Sequence, residues 1–300
     1  MKNKYLLLSL FLSILFQGCA NLEHLNTFST GAVKTLKSYN DIDYTYTSGY
    51  KKYVLTQKDF EFNVGDDLKA NKIQLPQKFT VAGEPETAIK ADKAINFLFT
   101  GLTAYFQGLA NISDKDLVNY NYDDVAKNLK ADATLKTKLG GITNGQIDAS
   151  SKIAKVLTDE IMKAYRAKTI KNVIINHDND VAAVVDALIK ILSGPRINVL
   201  NIDRKLLDTK YQVILLDDHI DLGTKVRLRE KYLEEQTELD SYEIQINNLV
   251  KALGEIKAEH HSVVDLLKTN KIDSKEVKDK IKYYGGVLED LLENIKNLEK

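Results

Sequence analysis

The chain has 300 residues, with 42 Lys plus Arg against 42 Asp plus Glu, so a formal charge of zero gives no electrostatic case for DNA or RNA as a partner. Hydrophobic residues make up 44%, enough for a real core, and a single cysteine excludes an internal disulfide. Only three prolines occur, at 76, 85 and 195, so long uninterrupted helices are permitted almost everywhere.

Lys2 and Lys4 precede an apolar run, Tyr5 to Phe16, which is too short to span a bilayer as a mature helix. Small Gly18 and the lone thiol, Cys19, follow it. The segment Leu15-Phe16-Gln17-Gly18-Cys19 resembles the lipobox of bacterial lipoprotein precursors, in which Leu, a small residue and Gly or Ala lead to Cys. Gly18 and Cys19 match that pattern, while Phe16 and Gln17 depart from it. The resemblance implies a signal peptide over residues 1–18, cleavage before Cys19, lipid attachment to its sulfur as a diacylglyceryl thioether, and a further acyl chain such as palmitate on its new amino group. Several chains, at about 0.8 kcal/mol per buried methylene, would hold the protein durably on a membrane. Ala20 follows the thiol, and by the same resemblance this implies the outer membrane, on its periplasmic or surface face. From residue types alone, Gly18 and Ala20 also permit an ordinary secretory cleavage after Ala20.

Phe28, Ala32, Thr35, Tyr39, Ile42, Tyr46, Tyr50 and Tyr53 step by threes and fours, which predicts one long first helix with an aromatic face at the core edge and hydroxyls reaching water. Residues 63–87 hold Gly65, Pro76, Gly83 and Pro85 and read as the main loop, with a small strand or hairpin at 72–81. Residues 94–113 carry no charged side chain. Their length matches a membrane span, but Asn96, Gln107 and Asn111 would be costly in hydrocarbon. The stripe Ile95, Leu98, Leu102, Tyr105, Leu109 and Ile112 instead predicts a helix at the centre of a bundle. A weaker helical segment follows over 115–139, with Asp114 as its cap, and a loop at Gly140-Gly141. Ser150 or Ser151 is expected to open the next helix, and Asp178 or Asp180 another that Gly194-Pro195 terminates.

Residues 201–268 contain no proline and would reach on the order of 100 Å as one helix, with Gly223 the weak point where it could break. Leu239, Tyr242, Ile246, Leu249, Leu253, Ile256, His260, Val263 and Leu267 form a heptad seam. Asp273 and Glu276 have capping-box spacing before a second stripe, Val277, Ile281, Tyr284, Leu288, Leu291, Ile295 and Leu298. The expected fold class is therefore all-α: an elongated helical bundle over 19–195, and a long C-terminal antiparallel coiled-coil hairpin within 196–300.

No nucleotide-binding loop, zinc-protease helix or serine elbow is present in the sequence, so no catalytic residue, cofactor or metal is predicted and the expectation is not an enzyme. Three acid and histidine groups carry side chains of cation-ligand type: His177, Asp178 and Asp180; Asp217, Asp218, His219 and Asp221; and Glu259, His260 and His261. None has recognisable ligand spacing. The first reads as a helix start, the second as a solvated helix face, and His260 as a packed, partly exposed ring on the seam. The expected role is a lipid-anchored envelope protein that binds or scaffolds through helical surfaces. Its expected partners are the membrane, through acyl chains on Cys19, and another envelope protein or a second copy. The alternative is a pore-forming protein that releases residues 94–113 into a bilayer.

Overall fold

Leu25, Phe28, Ala32 and Leu36 lie on one side of a first helix, α1 (Glu23–Lys37), and all are buried. The computed structural model describes residues 23–63, 85–110, 122–159, 167–270 and 274–296. After Lys37 the chain tightens into a 3-10 turn, Ser38–Asp41, and restarts as α2 (Tyr46–Asn63). The aromatic stripe expected on one long helix therefore spans two. The break is held by hydrogen bonds that replace the helical ladder. Thr45 N–H donates to Ser48 Oγ at 2.7 Å, Ser48 N–H donates to Thr45 Oγ1 at 2.9 Å, and Asp92 accepts from the N–H groups of Tyr46 and Thr47 at 2.9 Å each. Tyr46 also departs from expectation, because its hydroxyl is buried without a hydrogen-bond partner instead of reaching water.

Pro85 opens α3 (Pro85–Ala110), where its missing N–H costs nothing. Ile95, Leu98, Leu102, Tyr105 and Leu109 are buried, and so are Phe97, Phe99 and Phe106, so α3 packs against α1, α2, α6 and α8 over most of its circumference and leaves Lys93 and Asn96 exposed. Among the described residues no helix is long and apolar enough to cross a membrane. Tyr39 stacks on Phe99 at 4.2 Å, and Phe28 meets Phe106 edge-on at 5.7 Å. Ile112, the expected strands at 72–81, Asp114 and Asp273 lie outside the described residues.

The middle of the chain gives α4 (Tyr122–Ala131), α5 (Ala133–Lys138) and α6 (Asn144–Asp159). Gly140 and Gly141 turn the chain with φ of +84° and +77°, a region that glycine enters without steric cost. The helix expected to open at Ser150 or Ser151 begins instead with Thr143 and Gln146. Thr143 N–H donates to Gln146 Oε1 at 2.9 Å, and Gln146 N–H donates to Thr143 Oγ1 at 3.2 Å, a capping box in its usual residue types. Ser150 lies mid-helix, pressed against Gly101 of α3.

α7 (Ala167–Asn176) and α8 (Asp178–Ile191) follow, with Asp178 and Asp180 in the first turn of α8. Gly194-Pro195 does not terminate α8, contrary to expectation. The chain passes through a wider π-turn, Leu192–Arg196, directly into α9 (Ile197–Leu216). The wider turn relieves the clash between a proline ring and the carbonyl four residues back. It also turns Arg196 inward, where its guanidinium lies 4.9 Å from the Tyr46 ring centre and 5.4 Å from that of Tyr44, with Asp92 at 3.6 Å.

Asp217–Asp221 break the helical run, and α10 (Leu222–Thr269) then continues for 48 residues, about 72 Å. Residues 201–268 are thus two helices, folded back on each other and tied by Arg204 to Asp240 at 2.8 Å and Tyr232 to Asp208 at 2.8 Å. Every seam residue from Leu239 to Leu267 is buried except the half-buried Tyr242. Different partners cover the seam along its length: α9, then α8, then α11 (Lys275–Lys296). Ser274 caps α11, accepting from Val277 N–H at 3.3 Å. Val277, Ile281, Tyr284 and Leu288 are buried, and the chief partner of α11 is α1. The result is an elongated all-α bundle in which the first and last described helices, α1 and α11, pack together.

Candidate functional site

Two features stand out: a buried polar chain inside the bundle, and an exposed apolar face on α10. In the first, α3, α8 and α10 contribute one residue each. With its proton on Nδ1, the His260 ring donates to Asp178 Oδ1 at 3.0 Å, and its Nε2 accepts from the Tyr105 hydroxyl at 2.9 Å. His261 Nδ1 meets the other oxygen of Asp178 at 2.6 Å, and His177 Nδ1 meets Asp180 Oδ2 at 2.9 Å. Lys152 from α6 reaches the same Asp180 oxygen at 2.6 Å.

Burial pushes the Asp178 carboxyl up, but the hydrogen bonds from His260 and His261 outweigh it and hold the group below its ordinary range. Burial pushes the Tyr105 hydroxyl well above its usual value, and Asp178 and Asp180 add to the shift. A tyrosine kept protonated in this way is a hydrogen-bond donor, not a base. Tyr105 and His260 are 0% and 1% exposed, so the chain holds three helices in register and leaves no room for a substrate at the ring.

The second feature is an arm. From Gln212 to Glu238 no side chain is buried; here the end of α9 and the first third of α10 face each other. Leu216, Leu222, Val226 and Leu233 are 70%, 78%, 50% and 57% exposed, and Ile244 is 44% exposed further along. Leu222, Val226, Leu233 and Ile244 fall within about 40° of one helical face, some 130° round from the side that packs on α9. At the root of the arm a cavity of about 270 Å³ is lined by Lys52, Leu55, Asp203, Leu206, Lys210 and Leu239. Asp203 there accepts from the Tyr44 hydroxyl at 2.5 Å, and burial raises its carboxyl to about 7.

The acid and histidine groups fall out differently from their expected places. His260 is fully buried, not partly exposed, because Tyr105 and Phe106 of α3 pack edge-on with its ring. The first and third groups join through Asp178, which links His260 to His261. Asp217 to Asp221 form the loop between α9 and α10 instead of a helix face. Asp221 caps α10, accepting from Thr224 N–H at 3.0 Å. Among the described residues no group of three or more His, Cys, Asp or Glu is arranged to hold a metal ion. Cys19 lies outside the described residues. Sequence reasoning missed Tyr105 as the partner of His260, and the exposed face of α10. The face was legible as an eleven-residue spacing that runs beside the heptad seam. No protein-family model matches this chain, and comparisons with curated proteins and with solved structures return no match.

Proposed function

We propose that the chain is a lipid-anchored protein of the bacterial envelope, tethered through Cys19, that acts without catalysis as a binding or scaffolding module and presents the arm to a partner, another envelope protein or a second copy. The observation that carries this reading is the arm itself: a two-helix projection with no buried side chain from Gln212 to Glu238, which nevertheless displays Leu222, Val226 and Leu233 to water. Apolar residues aligned on one exposed helical face offer a surface that a partner could cover.

The distance between tether and arm supports a spacing role. Cys19 stands four residues before Glu23 in the sequence, and α1 runs beside α11, with Thr27 against Gly285. Tyr284 in turn bonds to Ser262 of α10. From Ser262 to Leu222 along α10 is about 60 Å, so the tethered end and the arm tip sit at opposite ends of the molecule.

The test has two arms. Labelled palmitate should enter the wild-type chain and not Cys19→Ser; labelling of both, or of neither, removes the anchor. A photoreactive residue at Val226 should give adducts of defined mass in the producing cell, and the same residue at Lys231, on the far side of α10, should not. Equal yields at the two positions would show that the face has no partner.

A further inference from the structure

The exposed line along α10 carries two interleaved series, each with an eleven-residue step, which is three helical turns and keeps each series on one face. The apolar series is Leu222, Leu233 and Ile244, symmetric about Leu233. The charged series alternates in sign: Arg229, Asp240 and Lys251. All six residues are exposed. An apolar series that repeats on reversal, with opposite charges brought within one turn of each other, is complementary to itself.

We propose that this face docks a second copy of the same chain, antiparallel, about a two-fold axis passing close to Leu233. The inference rests on the reading of the arm as an interaction surface and names its partner. Reversal about Leu233 lays Leu222 over Ile244 of the second copy, sets Val226 opposite its Asp240, and places Arg229 within one turn of that same carboxylate. Parallel pairing in register would set Arg229 on Arg229 and Asp240 on Asp240, so charge selects the antiparallel arrangement. Asp240 already binds Arg204 at 2.8 Å, yet its side chain is 63% exposed and open to a second cation. A two-fold contact of this kind uses one patch twice, as the commonest homodimers do. An unrelated partner would have to match both series independently.

Disulfide trapping of the full chain in the producing cell tests the register, with the unsubstituted chain as the baseline for any reaction of Cys19 itself. Leu233→Cys should form a double-mass species on mild oxidation. Co-expressed, differently tagged Leu222→Cys and Ile244→Cys chains should crosslink to each other. Leu222→Cys should not crosslink to itself, because antiparallel pairing separates the two positions by about 33 Å. In detergent, the purified chain should sediment at twice the mass of Leu233→Glu, a change at an exposed position that leaves the fold in place. Absence of the 233 crosslink together with a monomeric parent overturns the proposal, as does a 222-to-222 crosslink. Photo-adducts from Val226 to a different protein would then still support the arm as a docking surface, whereas no adduct of any kind would end both readings.

Discussion

Glu259 is 2% exposed and its Oε2 has no hydrogen-bond partner; burial, with Glu255 one turn behind it, raises its carboxyl to about 8 from an ordinary 4.5. Between those values the folded chain holds more protons than the unfolded one, so stability falls as pH rises through that window and the full penalty is felt above about 8. Glu259→Gln should therefore gain about 1–3 kcal/mol over the parent at pH ~9 and nothing near pH ~4, read by urea unfolding at each pH. A gain that is the same at both would mean that the carboxylate is solvated. Asp178 has the opposite sign. Its depressed value contributes stability above 3.8 that disappears as pH falls through the lowered folded value, so Asp178→Asn should cost stability at neutral pH and little in strong acid. Gly101 makes a steric case. A Cβ built there would sit 2.2 Å from Ser150 Oγ and 2.9 Å from Ser150 O, and the backbone oxygen cannot rotate away. Gly101→Ala should cost about 1–3 kcal/mol despite its better helix propensity, and a neutral result in thermal unfolding would show that α3 and α6 have slack.

Helix ends are set by a few hydrogen bonds, and this is where a reading of the sequence succeeds or fails. Asp221 caps α10 through Thr224 N–H in full solvent, so Asp221→Ala should fray the first turn, seen as faster amide exchange confined to residues 222–226. Exchange that accelerates as far as Leu239 would mean that the arm unfolds as one unit. The seam from Leu239 to Leu267 and the stripe of α3 were legible because each repeats its period over many turns. Thr143-x-x-Gln146 was equally visible as a capping box but lost to Ser150 and Ser151, which stand closer to the apolar residues of α6. The break between α1 and α2 was not legible. Half of its cap comes from Asp92, some 46 residues away, and no local period carries that information. Gly194-Pro195 has a stop signal by every local rule, yet Arg196 stacked between Tyr44 and Tyr46 holds the chain helical through a π-turn. The buried chain was half legible. His260 lay on the seam, but its partners Tyr105 and Asp178 are 155 and 82 residues distant.

At the scale of the whole molecule, α10 and α11 carry the rhythm of the antiparallel hairpin expected within 196–300, and besides packing on each other they pack into the rest of the bundle. Val277, Ile281, Tyr284 and Leu288 of α11 are at most 8% exposed, and they cover α1, whose Phe28 is itself buried against α3. Four such side chains, at about 1.5–3 kcal/mol each, represent roughly 6–12 kcal/mol, comparable to the entire stability of an ordinary domain. Removing α11 by ending the chain at Asn270 should therefore abolish cooperative unfolding, not merely lower its midpoint, because α1 loses its chief partner. The arm should behave in the opposite way. Excising residues 213–237 and joining Gln212 to Glu238 by a short glycine turn removes no buried side chain, so calorimetry should find a midpoint within a few degrees of the parent and a reduced helical signal. The two deletions together separate what folds the molecule from what it displays. A chain that tolerates the loss of α11 but collapses without the arm would reverse that assignment, and the surface role of the arm with it.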